Sequence, residues 1–346
     1  MVKFSFPIAR IRRGEYSDVY FNRARQILIK DNYHPQITVQ VFQKQKGITL
    51  CGIEETKQLF QQTVNYISQL KIHSLKDGDQ ISSWETVLTI EGDYSLFAHL
   101  ETIYLGILAR RSLIATNMRR AVAAANGKPV LYFGARFDYF LNQEGDAYAA
   151  SIGSASGVST PAGAVLINQT PVGTIPHALI VAYQGNIAQT AAKFNQYFPE
   201  LNTISLVDFN NNCIKGALES AKKLGKKLWG VRLDTAENIS DVSTPQQTGV
   251  NSLLIKKVRQ ALNSNGFNWV KIIVSGGFNL EKIKQFEAVK TPVDIYAIGS
   301  NILSGQIDFT ADAVRLDGKN LAKTGRKYFP NPKLQSINLS PTPTVA

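Results

Sequence analysis

The sequence predicts an α/β protein in two parts, in which a region of repeated βα units follows an α+β domain. Residues 129–303 alternate short apolar runs with helical patterns, as parallel strands joined by crossover helices do. The apolar runs before residue 129 flank helices without that alternation. The chain of 346 residues also exceeds one average domain and falls short of three.

The N-terminal part, residues 1–126, is predicted to be an α+β domain. The helical spacing of its apolar residues indicates a helix near 54–70 and a long helical region from Tyr94 to about Ala125. Strand-like patterns lie on either side of the first helix, in ITVQVFQK (37–44) and WETVLTI (84–90).

Residues 127–305 are predicted to form an α/β barrel domain. Its apolar runs have the length of buried strands, and helical spacing follows the second and the fourth of them. The runs are PVLYFGAR (129–136), TISLVDF (203–209), LWGVRLD (228–234), WVKIIVSGG (269–277) and DIYAIGS (294–300).

Residues 306–335 are predicted to return to the N-terminal domain. Within them, DFTADAVRLDGKNLAKTGRK (308–327) is typical of a β-hairpin, with Asp317 and Gly318 at its turn. The last residues, 336–346, are rich in Pro and Thr and are expected to be a disordered tail.

Composition excludes several classes of protein. Hydrophobic residues make up 44% of the chain and charged residues 18%, as in globular domains. No apolar run has membrane-spanning length, and no signal peptide is evident, so we expect a soluble cytoplasmic protein without a membrane partner. Cys51 and Cys213 lie far apart, which argues against a disulfide framework and against zinc. The net charge of +12 favours anionic ligands without choosing among them.

Polar residues and glycines end each apolar run of the predicted barrel. The carboxyl ends of barrel strands meet at one rim, so these residues are expected to share a site. Any one of them alone is equally well explained as a helix cap or a turn. They are Phe133-Gly134-Ala135-Arg136, Asp208, Arg232, Asp234, Ser275-Gly276-Gly277 and Gly299-Ser300.

These residue types indicate phosphate chemistry. Two of the endings precede helical patterns and offer bare backbone N–H groups, so we predict that Ser275, Gly276, Gly277, Gly299 and Ser300 bind a phosphate.

Two carboxylates and one histidine complete the predicted site. Asp208 and Asp234 are suited either to hold Mg²⁺, directly or through water, or to bind a sugar diol. His177 directly follows a Gly-Thr-Ile-Pro turn at the start of an apolar helix, which exposes it at the rim. A lone histidine is more often structural, so its role depends on the residues around it.

Seven ordered pieces of the sequence carry a family resemblance. They are SDVYFNRARQIL (17–28), EGDYSLFAHLETIYLGILARRSLIATNMRR (91–120), FGARF (133–137), GTIPHAL (173–179), GVRLD (230–234), KIIVSGGFN (271–279) and YAIGS (296–300). Together they resemble the nicotinate phosphoribosyltransferase family, a branch of the type II phosphoribosyltransferases. The resemblance implies an irregular, incomplete α/β barrel with an N-terminal α+β sandwich domain that the C-terminal segment completes.

The resemblance also implies an activity. Members of this family join nicotinate to 5-phosphoribosyl-1-pyrophosphate (PRPP), giving nicotinate mononucleotide and pyrophosphate in NAD salvage, with Mg²⁺ as cofactor and ATP hydrolysis driving the reaction. His177 matches the histidine that ATP phosphorylates. Neutral imidazole is a competent nucleophile, which agrees with this role.

Substrate-binding residues follow from the same resemblance. Phe133 is expected to stack on the pyridine ring, with Tyr20 of a neighbouring subunit on the other face. Arg136 and Arg232 are expected to meet the carboxylate or the phosphates, and Thr174 belongs to the histidine motif. Without the resemblance, core packing would be the default role of the two aromatic residues.

The resemblance places further residues at the site and implies a homo-oligomer with shared sites, a dimer or larger. Asp18 and Arg23 are expected to complete the partner's site. Asp208 and Asp234 are expected to arrange Mg²⁺-pyrophosphate and the ribose. The family pattern has Arg-Thr where this chain has Arg23 and Ala24, and no Cys-rich zinc module is present in the sequence.

Three alternatives remain open. Quinolinate phosphoribosyltransferase shares the fold, but that family has an arginine where this chain has Thr102. A nucleic-acid-binding protein would require a clustered basic stripe, whereas the basic residues here are dispersed. A non-catalytic homologue is the third alternative.

Overall fold

The computed structural model describes residues 2–337, so most of the predicted tail, 336–346, lies outside the described residues. The chain forms two compact units. One, the antiparallel unit, contains the residues up to Thr116 together with those from Gly305 onward, and the other, the parallel unit, contains Asn117–Ser304. The domain boundaries at 126, 305 and 335 stay a prediction.

The elements of the N-terminal segment are short strands and helices followed by one long helix. Its helices are α1 (Ile8–Arg12), α2 (Val19–Lys30), α3 (Ile53–Thr63), α4 (Tyr94–Phe97) and α5 (Glu101–Ala124), with 3-10 turns at Ile67–Gln69 and Ala98–Leu100. Its strands are β1 (Gln36–Gln43), β2 (Ile48–Thr49), β3 (Lys71–Ser74), β4 (Gln80–Ile81) and β5 (Leu88–Asp93).

The parallel unit consists of short strands connected by one or more helices. Its strands are β6 (Val130–Tyr132), β7 (Gly157–Val158), β8 (Thr203–Leu206), β9 (Leu228–Leu233), β10 (Lys271–Val274) and β11 (Ile295–Ile298). Its helices are α6 (Gln143–Ile152), α7 (Pro161–Leu166), α8 (His177–Ala182), α9 (Ile187–Tyr197), α10 (Cys213–Leu224), α11 (Ser252–Ser264) and α12 (Leu280–Ala288). Its 3-10 turns are Ala135–Phe137, Phe140–Asn142, Gly225–Lys227 and Ser300–Leu303.

The C-terminal segment adds three strands to the antiparallel unit: β12 (Phe309–Leu316), β13 (Lys319–Asn320) and β14 (Gln335–Ser336). Among the described residues, the main sheet has the order β13-β12-β1-β5-β3-β14. Strand β12 pairs antiparallel with β1, which places Val41 opposite Ala311. Asp317 and Gly318 both have positive φ, as the turn of a tight hairpin requires. The predicted return of the C-terminal segment is therefore confirmed.

The parallel unit holds its strands in the order β7-β6-β11-β10-β9-β8, all parallel. Within the described residues no ladder joins β7 to β8, so this sheet does not close. Its strands are mostly buried, as continuous apolar runs predict. The predicted fold class, an incomplete α/β barrel with an antiparallel α+β domain, is confirmed.

Two predicted helices differ from those observed. Helix α3 ends at Thr63, because Val64 adopts extended backbone geometry. The long helical region divides into α4, a 3-10 turn and α5, since Phe97 leaves the helical region with φ of −131°. Period alone cannot detect such a break, because the apolar spacing continues through it. Within residues 2–337, no helix combines the length and apolar character that crossing a membrane requires.

Glu101, the first residue of α5, lies in an acidic part of the antiparallel unit. Burial raises the pKa of its carboxyl group to about 7, with help from the charges of Asp312 and Asp18, whereas the hydrogen bond with Tyr104 opposes the rise. The folded protein therefore retains a proton that the unfolded chain releases near pH 4.5. The contribution of Glu101 to stability therefore falls as pH rises from about 4.5 to about 7.

We expect Glu101→Gln to flatten that part of the pH dependence. At pH 8 the variant should be more stable than the wild type, by up to about 3 kcal/mol, because an amide never ionises. Urea unfolding at pH 5 and pH 8 measures the difference. As a control of opposite sign, Glu91→Gln should lose stability at pH 8, because Lys71 lowers the pKa of the Glu91 carboxyl group. An unchanged slope in Glu101→Gln would contradict the burial argument.

Candidate functional site

A cavity of about 710 Å³ lies in the parallel unit, among loops that follow its strands. Its size is typical of small-ligand sites. Most of the residues predicted for the site line it: Phe133, Arg136, Thr174, His177, Arg232, Asp234, Ser275, Gly276, Gly277, Gly299 and Ser300. The structure therefore brings together residues from five separate segments of the sequence.

Arg232 and Asp234 form an ion pair at the end of β9, with Nη1 and Oδ2 3.2 Å apart. Ser275, just beyond β10, donates to Asp234 Oδ1 at 2.7 Å and accepts from Arg232 Nη1 at 3.1 Å. Arg232 Nη2 also donates to the Ile175 carbonyl at 3.3 Å, in the loop before α8. This network holds both carboxylate oxygens of Asp234 and two nitrogens of Arg232.

Gly276 and Gly277 expose backbone where side chains would obstruct it. Both have positive φ, +78° and +67°. A Cβ on Gly276 would lie 3.2 Å from the carbonyl oxygen and Oδ1 of Asp234, and one on Gly277 would overlap the carboxyl group of Glu237. Consecutive bare N–H groups in such a turn form a concavity suited to an anion. Glu237 lies beside this concavity and was not predicted from the sequence.

Gly299, just beyond β11, also lies where a side chain would not fit. A Cβ there would lie 2.5 Å from the ring of Phe137 and 3.1 Å from the Phe133 carbonyl oxygen. The absent side chain therefore lets the segment that follows β6 approach the end of β11. Phe133 is half-buried there, and its N–H donates to the Ile298 carbonyl at 2.7 Å.

Arg136 is exposed, and no carboxylate pairs with it among the described residues. Its guanidinium lies 5.1 Å from the centroid of the Phe137 ring. Because no described residue supplies a counter-ion to Arg136, its guanidinium is available to an anionic ligand. Arg232, by contrast, is already held by Asp234 and Ser275, although its buried Nε has no partner in the described chain.

His177 begins helix α8, and Pro176 before it is extended. The imidazole is 45% exposed, and its Nε2 lies 3.1 Å from Oδ2 of Asp208. The ring also faces Phe209, with centroids 6.5 Å apart. One ring nitrogen is therefore held by a carboxylate, which leaves Nδ1 as the nitrogen for other chemistry.

Asp208 is buried behind His177 and does not line the cavity. Burial raises the pKa of its carboxyl group, and the neighbouring imidazole partly offsets that rise. Its Oδ1 is enclosed and has no hydrogen-bond partner in the described residues. Asp208 therefore faces the histidine, whereas Asp234 is the carboxylate that the cavity reaches.

A Mg²⁺ ion would find few protein ligands here. The described residues contain no group of three or more His, Cys, Asp or Glu side chains suited to a metal ion. Mg²⁺ commonly uses only one or two carboxylates and keeps waters or binds substrate phosphates. Asp234, partly exposed at the cavity, fits that pattern, whereas the enclosed oxygen of Asp208 does not.

Asp18, Tyr20 and Arg23 belong to the antiparallel unit, and none of them lines the cavity. Asp18 precedes α2, and its N–H donates to Thr102 Oγ1 at 3.0 Å. The Thr102 hydroxyl donates in turn to Asp18 Oδ2, also at 3.0 Å. All three side chains are exposed, so their predicted role in a partner's site stays a prediction.

Gln143, Ser159 and Thr160 also line the cavity, and the sequence did not predict them there. Ser159 and Thr160 follow β7, whose two residues are too few to show a strand period. A signal was nevertheless present, since Thr160-Pro161 is a typical helix start. The Thr160 hydroxyl accepts from the N–H of Gly163 at 3.3 Å and caps α7.

Comparisons with known proteins show which families this chain resembles. A family model described as the quinolinate phosphoribosyl transferase N-terminal domain matches residues 18–112. The crystal structure of a nicotinate-nucleotide pyrophosphorylase from Pyrococcus furiosus is 33% identical, with a TM-score of 0.83, and the match covers 97% of this chain and 86% of that one. Human nicotinic acid phosphoribosyltransferase is 15% identical over 88% of this chain and 76% of its own, with a TM-score of 0.70, which shows the fold alone.

Curated relatives match more weakly in sequence. A nicotinate phosphoribosyltransferase of Mycobacterium tuberculosis is 27% identical over 245 residues, which are 68% of this chain and 50% of that protein. The Bacillus subtilis nicotinate phosphoribosyltransferase is 26% identical over 239 residues, 67% of this chain and 45% of its own. The chain thus spans about half the length of the curated relatives it matches.

Gly276→Ala tests the anion-binding concavity, and Gly266→Ala is its matched control. Gly266 has nearly the same φ, +75°, but a Cβ there meets nothing within 4 Å. Both variants should lose about 1–2 kcal/mol of stability through backbone strain. Only Gly276→Ala should weaken the binding of inorganic pyrophosphate, measured by calorimetry, because its Cβ presses on Asp234. Equal affinities in the two variants would contradict this use of Gly276.

Proposed function

Because the chain belongs to the type II phosphoribosyltransferase family, we propose that it transfers the phosphoribosyl group of PRPP to nicotinate. The products would be nicotinate mononucleotide and pyrophosphate, and the reaction would serve NAD salvage in the cytoplasm. The Pyrococcus furiosus relative is named for nicotinate nucleotide and pyrophosphate, the same two products. The observation that carries the proposal is the His177–Asp208 pair at a cavity that also holds Arg136 and the glycine concavity.

Asp208 prepares His177 for a phosphoryl group. Its carboxylate accepts a hydrogen bond from Nε2, so the proton of the neutral ring stays on that nitrogen and Nδ1 keeps a lone pair. Nδ1 attacks the γ-phosphorus of ATP, the bond to the bridging oxygen breaks, and ADP leaves. The enclosed Asp208 charge stabilises the cation that forms on the ring. Water later hydrolyses the phosphohistidine.

The concavity at Gly276 and Gly277, together with Gly299 and Ser300, is suited to the phosphate groups of PRPP. Asp234 would hold Mg²⁺ through water, and the ion would neutralise charge on the leaving pyrophosphate. Arg232 positions Asp234 rather than binding substrate with its whole guanidinium, because two of its nitrogens are already engaged.

Nicotinate would lie against Phe133, with its carboxylate facing Arg136. Phe133 is half-buried, so one part of the ring is available for stacking. The pyridine nitrogen attacks the ribose carbon with its own lone pair while the bond to pyrophosphate breaks, so no general base is required. Positioning and charge stabilisation would supply the rate enhancement.

A second copy of the chain would complete the site. Tyr20 is 59% exposed, although it is a large aromatic residue, and Asp18 and Arg23 are exposed beside it. Exposed aromatic side chains of this kind are common in protein interfaces. The proposed assembly is therefore a homodimer or a larger symmetric oligomer.

Quinolinate is the alternative substrate, which the match of residues 18–112 to a quinolinate family model favours. A second carboxylate needs a second cation. At the position where the quinolinate family has an arginine, this chain has Thr102. Its hydroxyl group is hydrogen-bonded to Asp18. This local contact supports nicotinate.

Substrate choice tests the proposal directly. With PRPP and Mg²⁺, nicotinate should react about a hundredfold faster than nicotinamide, because Arg136 pairs with a carboxylate and not with an amide. Arg136→Gln should remove most of that preference, and Arg136→Lys should retain part of it because the charge remains. Product formation from nicotinate, nicotinamide and quinolinate, with and without ATP, measures it. Equal rates with nicotinate and nicotinamide, or a preference for quinolinate, would overturn the proposal.

The coupling role of His177 has its own test. His177→Ala should abolish ATP hydrolysis and leave a slow, ATP-independent synthesis of nicotinate mononucleotide. Asp208→Asn, which keeps the shape but not the charge, should slow phosphorylation without preventing it. Labelling with γ-³²P ATP should give an acid-labile, base-stable phosphoprotein that His177→Ala cannot form. Unchanged ATP coupling in a folded His177→Ala protein would leave His177 a structural role only.

A further inference from the structure

A second cavity, of about 260 Å³, lies in the antiparallel unit. It is formed by the ends of α1 and α3, by α2, and by the segment from α4 to the turn Ala98–Leu100. Its polar lining includes Arg12, Arg25, His99, Asn65 and Tyr66, and no carboxylate lines it in the part of the chain that the structure describes. None of these residues takes part in the proposed transfer reaction.

Both arginines are fixed in place by backbone carbonyl groups. Arg12 donates from Nη2 to the Gln62 carbonyl at 2.9 Å and from Nε to the Thr63 carbonyl at 3.3 Å, at the end of α3. Arg25 donates from Nε to the Ser95 carbonyl at 3.1 Å and from Nη1 to the Arg12 carbonyl at 3.2 Å. Neither has a carboxylate partner in residues 2–337, so two held cations share the cavity without a counter-ion.

His99 supplies a second, independent observation. Its side chain is only 2% exposed, and its Nδ1 has no hydrogen-bond partner within the described chain. Burial, and after it the charge of Arg25, lowers the pKa of His99 to about 4, so the ring is neutral at pH 7. A buried polar atom without a partner is costly, and structures commonly satisfy such atoms with water or a ligand.

We propose that the second cavity binds a small oxyanion of the phosphate type. The two guanidiniums would donate charge-assisted hydrogen bonds from their remaining N–H groups, and the neutral ring of His99, which lines the cavity, would donate from its N–H group. The volume is just below the range of drug-sized sites, which favours a phosphate ion or a phosphoryl group over a whole nucleotide. Arg12 lies near the surface, so the ion enters past it, whereas His99 forms the buried end.

The imidazole signals of protein labelled with ¹⁵N histidine test this site at fixed pH 7. Inorganic phosphate is titrated at constant ionic strength, with chloride replaced by phosphate. We expect the His99 signal to shift and saturate. His34 and His73 serve as internal references, and His177 reports phosphate in the first cavity within the same spectrum. The two sites, and the failure of either proposal, are therefore read separately.

Arg25→Gln and Arg12→Gln should each weaken the phosphate affinity seen at His99 by about tenfold or more, because each removes a charged donor. Arg10→Gln is the matched control, since Arg10 pairs with Glu15 on the surface and does not line the cavity. Circular dichroism shows whether Arg25→Gln folds. If it does not, Arg12→Gln tests the proposal, because Arg12 is exposed and its replacement should not prevent folding. No shift at His99, the same shift with chloride alone, or unchanged affinity in the folded arginine variants would overturn the proposal.

Discussion

The ion pair between Arg232 and Asp234 fixes the arrangement on which the first cavity depends. Through Ser275 it ties the end of β9 to the end of β10, and through the Ile175 carbonyl it reaches the loop that presents His177. One guanidinium thus holds together three segments that are distant in sequence. Removing either partner of a partly buried pair leaves the other charge uncompensated, which costs several kcal/mol of stability. The same ion pair therefore supports both the site and the local fold.

The two aspartates near the cavity have different environments and therefore different chemistry. Asp208 is enclosed, and burial raises the pKa of its carboxyl group while His177 opposes that rise. Asp234 is partly exposed, with a cation on one oxygen and a hydroxyl group on the other. The enclosed carboxylate is suited to orient an imidazole, and the exposed one to meet a hydrated cation.

The chain attracts anions in more than one way. Its net charge of +12 acts over the whole surface and is screened by salt. The glycines after β10 offer neutral backbone N–H groups, whereas the second cavity offers guanidiniums held by carbonyl groups. Local hydrogen-bond geometry, and not total charge, distinguishes the glycine concavity and the second cavity from the dispersed surface lysines.

The sequence alone predicted five of the six described strands of the parallel unit and its helices α8, α10 and α12, because buried strands and amphipathic helices have periods that short-range pattern reveals. It did not predict β7, whose two residues are too few to show a period. It also selected Asp234, Ser275 and Gly276, because polar residues directly after apolar runs are unusual. Only the tertiary structure decided that Asp208 lies behind His177, that Arg232 is held by Asp234, and that Arg12, Arg25 and His99 surround one cavity. These facts depend on contacts between residues tens of positions apart, and no local pattern records which side chain is enclosed and which remains free.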